Sequence, residues 1–143
     1  MSNVNNEVKL IAIHHSQTDY DHVKNINKAH KKRGFRPYIN ASGFKVHFGY
    51  HVWINAWGFE TYCRPTSVAG QHCRGINGIS IGICIEGDKD ILNPAVLKTL
   101  LRIVRYYMKR FNLTADKVMG HGECDAKKLS CPGFDMDWFR GLL

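Results

Sequence analysis

Residues 8–14 read V-K-L-I-A-I-H, and His15 follows directly. A short apolar run that ends in polar residues is what a central strand buried on both faces requires. Adjacent side chains on a strand point to opposite faces, so only one of His14 and His15 can address a given site. A second apolar run, I-S-I-G-I-C-I-E over residues 79–86, predicts another buried strand. In it Gly82 allows a close approach of backbone, and Cys84 between isoleucines reads as a small buried hydrophobe.

Outward from these runs, residues 46–55 (V-H-F-G-Y-H-V-W-I-N) are aromatic and β-branched enough for a strand, and the turn at 55–58 leads into another over 59–63. Alternation along the first would put Tyr50, Val52 and Ile54 on one face and His51, Trp53 and Asn55 on the other. Residues 117–119 form a brief strand that feeds His121. Helices fall between. One starts at 16–19, carries Val23, Ile26 and His30 at helical spacing and stops at Gly34, with Lys24, Lys28, Lys31 and Lys32 as its solvated outer face. Another opens with Asn93 as N-cap and Pro94 at the first helical position, and its apolar stripe runs from Val96 to Phe111. Residues 135–143 read as a capped terminal helix with Trp138 packed inward. Residues 36–45 and 64–77 are loops, the second with His72 near its centre. This alternation predicts an α/β fold: one domain over 1–143, a mixed central β-sheet flanked by helices, and the hairpin at 46–63 as its antiparallel part.

The chain has 143 residues, 44% of them hydrophobic, enough to bury roughly 70% of the unfolded surface without a disulfide staple. A net charge of +8 and a pI near 9.4 point to a polyanionic partner, whether nucleic acid, an anionic membrane face or the acidic polymers of a bacterial envelope. Residues 1–8 are polar and Asn-rich rather than a charged-then-apolar leader, and no run approaches the roughly 18 apolar residues of a membrane span. The expectation is cytoplasmic synthesis without a signal peptide. Five cysteines, an odd number, argue for thiols and metal ligation over a disulfide framework.

Residues 118–135 read V-M-G-H-G-E-C-D-A-K-K-L-S-C-P-G-F-D. Cys131 precedes Pro132-Gly133, which stops regular structure and holds its sulfur on a turn. His121 lies ten residues upstream, too far to share a helix face, so the two must meet through the fold. With His14 from the strand end they would offer zinc two imidazoles and a thiolate, leaving the fourth position for water as catalytic sites do. Such a cation acidifies water and polarises a carbonyl. The competing arrangement is a closed structural zinc site built on His121-x-x-Cys124 with Cys131.

Four segments in order, I-A-I-H-H-S-Q-T (11–18), F-G-Y-H-V-W-I (48–54), Q-H-C-R-G-I-N-G-I-S-I-G-I-C-I-E-G (71–87) and G-H-G-E-C-D-A-K-K-L-S-C-P-G-F-D (120–135), resemble the type 2 N-acetylmuramoyl-L-alanine amidases. That family includes phage lysozyme-type zinc amidases and the peptidoglycan recognition proteins. The resemblance implies an amidase/PGRP-like fold, with His14, His121 and Cys131 as Zn2+ ligands and Tyr50 beside the water the metal activates. Two departures stand out. Leu129 occupies the position, two residues before the last ligand, where relatives carry a lysine or threonine, so Lys128 (or Lys127) is displaced into that role, Lys128 being favoured. Cys84 stands where some relatives carry a glutamate general base.

The resemblance further implies hydrolysis of the amide between N-acetylmuramic acid and L-alanine in peptidoglycan. His72, Arg74 and the 36–45 loop would line the groove for glycan and stem peptide. A chain with no separate wall-binding module fits a compact phage-type endolysin, expected to act as a monomer on the cell wall after release. Two rivals remain: a non-catalytic peptidoglycan-binding module, and an amidase with a second, regulatory protein or nucleic-acid partner. The second is suggested only by charge and by precedent within phage amidases for a regulatory partner, and no nucleic-acid motif supports direct binding.

Overall fold

The computed structural model describes residues 7–18, 23–39, 42–43 and 45–143. The expected helix start at Asp19, the side chain of Val23 and the loop residue Asn40 lie outside the described residues. The main sheet has five strands: β1 (Leu10–His15), β4 (Val52–Ile54), β5 (Glu60–Tyr62), β6 (Ser80–Ile85) and β7 (Val118–Gly120), in the order β5-β4-β6-β1-β7. A separate two-stranded ribbon pairs β2 (Tyr38–Ile39) with β3 (Lys45–Val46). The helices are α1 (Val23–Lys32), α2 (Pro94–Phe111), the single turn α3 (His121–Cys124) and α4 (Met136–Arg140). The sheet is mixed as expected: β1 runs parallel to β6 and β7, β4 runs parallel to β6, and only the edge strand β5 is antiparallel.

Alternation along β1 and β6 sorts their side chains. Ile11, Ile13, Ile81, Ile83 and Ile85 join Val52 and Ile54 in one cluster with Val96, Leu100, Ile103 and Val104 of α2. Helix α2 forms where its sequence signals place it. The Asn93 side chain accepts from the Val96 amide at 3.0 Å, Pro94 needs no partner in the first turn, and Asn112 closes the helix in the left-handed region. Full burial of each aliphatic side chain in this cluster contributes about 1.5–3 kcal/mol, so this layer holds the fold together. The opposite face of the same strands carries Ala12, His14, Ser80, Gly82 and Cys84, which leaves room for side chains arriving from loops.

Three expectations are corrected. Residues 46–55 do not form one strand: the His47 amide goes to Asn27 Oδ1 at 2.6 Å and the Gly49 amide to His30 Nδ1 at 2.9 Å, so α1 takes the hydrogen bonds a strand would need. The predicted parity fails with it, since Val52 and Ile54 enter the aliphatic cluster while Tyr50 sits beside His14. The 36–45 loop is not wholly irregular, because β2 and β3 pair within it. In α4, Met136 and Phe139 face inward and Trp138 is 50% exposed. A helix of this length buries one i, i+3 pair, and here the pair is Met136 and Phe139.

Candidate metal centre

The register of the parallel strands builds the site. Gly120, the last residue of β7, is level with Ile13, so the next residue, His121, emerges beside His14 at the carboxyl ends of adjacent strands. Their ring centroids are 4.2 Å apart. Cys131 is brought back to this edge by its own segment: its amide donates to the Lys128 carbonyl at 2.9 Å, and the Gly122 amide donates to the Cys131 carbonyl at 2.9 Å. The His15 amide then donates to Cys131 Sγ at 3.3 Å. Donor atoms of His14, His121 and Cys131 all lie within 4.8 Å of one another, and among the described residues no other His, Cys, Asp or Glu joins the group. His15 points elsewhere, with its Nε2 3.8 Å from Asp88, as strand alternation requires.

These donors open into a cavity of about 170 Å³ whose lining also includes Tyr50, His72, Lys128, His30, Arg33 and Gln71. An open groove of about 600 Å³ runs along the other side of Cys131. The smaller cavity is the one where polar groups converge, which is what marks a binding site. The Tyr50 ring lies 5.2 Å from that of His14. Of the two candidate lysines, Lys128 lines the cavity and Lys127 does not, while Leu129 is 79% exposed. His72 is packed against His14, with Nδ1 2.9 Å from His14 Nε2, rather than standing free in a groove. Arg74 is exposed, and neither it nor any described residue of the 36–45 segment is in the lining. Cys124 turns to the Gly120 carbonyl, 3.5 Å away, and does not join the cluster that a closed structural site would need.

Burial sets the charge states. It holds His14 well below the ordinary histidine range, with the neighbouring His72 and His121 adding to the effect, and it lowers His121 against the opposing pull of Asp125. Both imidazoles are therefore neutral near pH 7 and have lone pairs to give. Burial pushes the Cys131 thiol up to about 11, only partly countered by the His15 amide and Lys128. Tyr50 is raised well above its usual value, mainly by burial and then by Cys84, so its hydroxyl stays a neutral donor. Two nitrogen donors and one sulfur, with the fourth position open to a cavity, fit a catalytic zinc.

Sequence reasoning passed over His30, Arg33 and Gln71 as parts of the site. His30, at helical spacing with Val23 and Ile26 in the sequence, is buried, and its Nδ1 accepts from the Gly49 amide while its ring lies 5.4 Å from that of Tyr50. Gln71 fixes the other side of the same turn, its amide donating to the Gly49 carbonyl at 2.9 Å. The one available signal was the glycine before Tyr50: a Cβ at Gly49 would lie 2.1 Å from the Gln71 carbonyl oxygen.

The profile of the N-acetylmuramoyl-L-alanine amidase family matches residues 4–134 of this chain. An endolysin of Klebsiella phage KP32 is 26% identical over 121 residues, which cover 80% of this chain and 71% of that protein. Among solved structures, the N-acetylmuramoyl-L-alanine amidase LysC from Clostridium intestinale superposes with a TM-score of 0.80 at 25% identity, covering 96% of this chain and 86% of its own. Drosophila PGRP-LB superposes with a TM-score of 0.68 at 21% identity, covering 92% of this chain and 78% of its own, a likeness of fold alone.

Proposed function

The chain belongs to the N-acetylmuramoyl-L-alanine amidase family, and from that premise we propose that it is a zinc-dependent peptidoglycan hydrolase of the phage endolysin type. The bond cleaved is the amide between the lactyl group of N-acetylmuramic acid and L-alanine. The observation that carries this reading is the meeting of His14, His121 and Cys131 at one mouth of the sheet, with Tyr50 and Lys128 lining the same cavity. Those three residues would hold the zinc, which when bound supplies a Lewis acid that polarises a carbonyl and makes water more acidic.

The chain's own groups do the rest. Tyr50, neutral and partly exposed to the cavity, donates from its hydroxyl to the substrate oxygen where negative charge develops, and Lys128 adds a cation to the same rim. No aspartate or glutamate lines the cavity among the described residues, so the site offers hydrogen-bond donors in place of a carboxylate base. Arg33, also in the lining, supplies a cation for an acidic group of the stem peptide. Arg74 and the described residues of the 36–45 segment, outside the cavity, would contact only glycan or peptide beyond the scissile bond.

Mass spectrometry of purified peptidoglycan digested with and without chelator tests this directly. Stem peptides with free L-alanine amino termini, lost on chelation, are expected. New reducing sugar ends without free L-alanine would place the cut elsewhere and sink the reading. The rival reading, a recognition module on the same fold, expects wall binding with no released peptide; the complete donor set at the cavity favours cleavage.

A further inference from the structure

The hydrogen bonds behind His14 decide which of its nitrogens faces the cavity. Ser80, at the start of β6, is buried, and its hydroxyl donates to the Ile76 carbonyl at 2.7 Å. A hydroxyl has one proton to give, so towards His72 Nε2, 3.1 Å away, Ser80 Oγ accepts. His72 thus carries its proton on Nε2. His72 is partly buried between the rings of His14 and His51, and among the described residues the cavity lining contains no carboxylate to balance an imidazolium, so His72 is neutral and its Nδ1 is bare. At 2.9 Å from it, His14 Nε2 must be the donor, which leaves the lone pair of a neutral His14 on Nδ1.

The ring of His72 is seated for this contact. A Cβ at Gly82, in the middle of β6, would lie 2.6 Å from His72 Cγ and Cδ2, and one at Gly70 would lie 2.4 Å from Cδ2. The two glycines form the slot, and the approach that Gly82 permits is that of an imidazole rather than of backbone. Asn77 Oδ1 anchors the loop beneath, accepting from the amides of His72 at 2.8 Å and Cys73 at 2.9 Å. His121 is arranged in the same sense, with Nε2 facing Asp125 Oδ2 at 3.9 Å.

We propose that Ser80 and His72 are a positioning pair that locks His14 in its Nε2–H tautomer, so that Nδ1 is the atom it gives to the metal. This rests on the assignment of His14 as a zinc ligand. Partners of this kind orient the ring and raise its basicity, and their loss weakens metal binding about 10- to 100-fold.

Two readouts test it. Long-range ¹H–¹⁵N spectra of the metal-free protein report the His14 tautomer, and competition with a chromophoric chelator reports zinc affinity. The wild type is expected to show His14 as Nε2–H. His72→Ala should give mixed tautomers and zinc binding weaker by about 10- to 100-fold. His72→Asn, whose side-chain carbonyl can stand where Nδ1 was, should recover most of that loss, and Ser80→Ala, which removes only the far acceptor, should fall between. The folded fraction of each variant is read from its thermal transition, and the two milder variants carry the test if His72→Ala does not fold. An Nδ1–H His14 in the wild type, or wild-type zinc affinity in all three variants, overturns the pair. A wild type that keeps Nε2–H on His14 but takes up no zinc overturns the metal assignment instead, and with it the claim about Nδ1.

Discussion

The two faces of the central sheet are made from alternate residues of the same strands, yet they are filled in opposite ways. Under α2, β1 and β6 present Ile11, Ile13, Ile81, Ile83 and Ile85, and the space is filled by bulk. On the other side the same strands present Ala12, His14, Ser80, Gly82 and Cys84, and the space is filled by His72, Tyr50 and His51 arriving from elsewhere in the chain. One face tolerates any well-packed aliphatic of the right volume. The other depends on individual donors and acceptors, because a buried polar group that loses its partner costs about 1–3 kcal/mol. Stability therefore resides chiefly on the first face and chemistry on the second.

The sharpest break in that division comes from removing a donor on the polar face. Cys131→Ala should reduce release of stem peptides from purified wall to background and abolish stoichiometric zinc uptake, while the apo-protein loses no more than about 1–3 kcal/mol, the cost of leaving the His15 amide without its acceptor. A larger loss of apo stability would mean that Cys131 is part of the scaffold. Leu100→Ala probes the opposite face. Leu100 is fully buried, so the change should cost about 3–5 kcal/mol in denaturant unfolding and leave kcat per folded molecule unchanged. A fall in kcat larger than the folded fraction explains would show that the faces are coupled.

Tyr50→Phe is the next step down. It keeps the ring against His14 and removes only the hydroxyl, so kcat should fall about 10²–10³-fold with zinc affinity and KM nearly as before. An unchanged kcat would remove Tyr50 from the chemistry and leave it as packing.

The aliphatic face was the more legible of the two in the sequence. The runs at 8–14 and 79–86 and the capped stripe from Asn93 to Asn112 state their structure locally, through apolar continuity and helix-end chemistry. The polar face is assembled from contacts distant in sequence. His14 and His72 are 58 residues apart, and no period or propensity encodes their meeting. The strand expected over 46–55 failed for the same reason, since Asn27 and His30 of α1 claim its amides. Trp138, expected to pack inward, is half exposed, because the i, i+3 pair Met136 and Phe139 decides which side of α4 turns inward. His14, His121 and Cys131 could be proposed because strand ends and a turn before proline are recognisable, and because four ordered motifs resemble a known family.

Acid should separate the two faces without any mutation, and the single substitution that tests it shifts the slope by the smallest amount. His51 is buried on the polar side, where its Nδ1 accepts from the Gly82 amide at 3.0 Å and its Nε2 donates to the Val68 carbonyl at 2.9 Å. Burial, with a further contribution from Arg64, lowers its pKa to about 4, and His30 is likewise lowered to about 4 by burial and nearby arginines. An unfolded histidine titrates near about 6.5. Between these values the unfolded chain binds protons that the folded chain refuses, so stability is fully present above about pH 6.5 and declines as pH falls towards 4. For His51 the loss is on the order of 2–3 kcal/mol, and His14 and His72, also depressed by burial, act in the same direction. The aliphatic cluster contains no group that titrates in this range. Melting of the metal-free protein at half-unit steps from pH 7 to 4 should therefore show a steep decline in the wild type. The slope should be shallower in His51→Asn, which keeps an acceptor for the Gly82 amide but cannot take up the proton. Equal slopes would mean that His51 is already protonated in the folded protein, and that its ring is not held by the Gly82 amide.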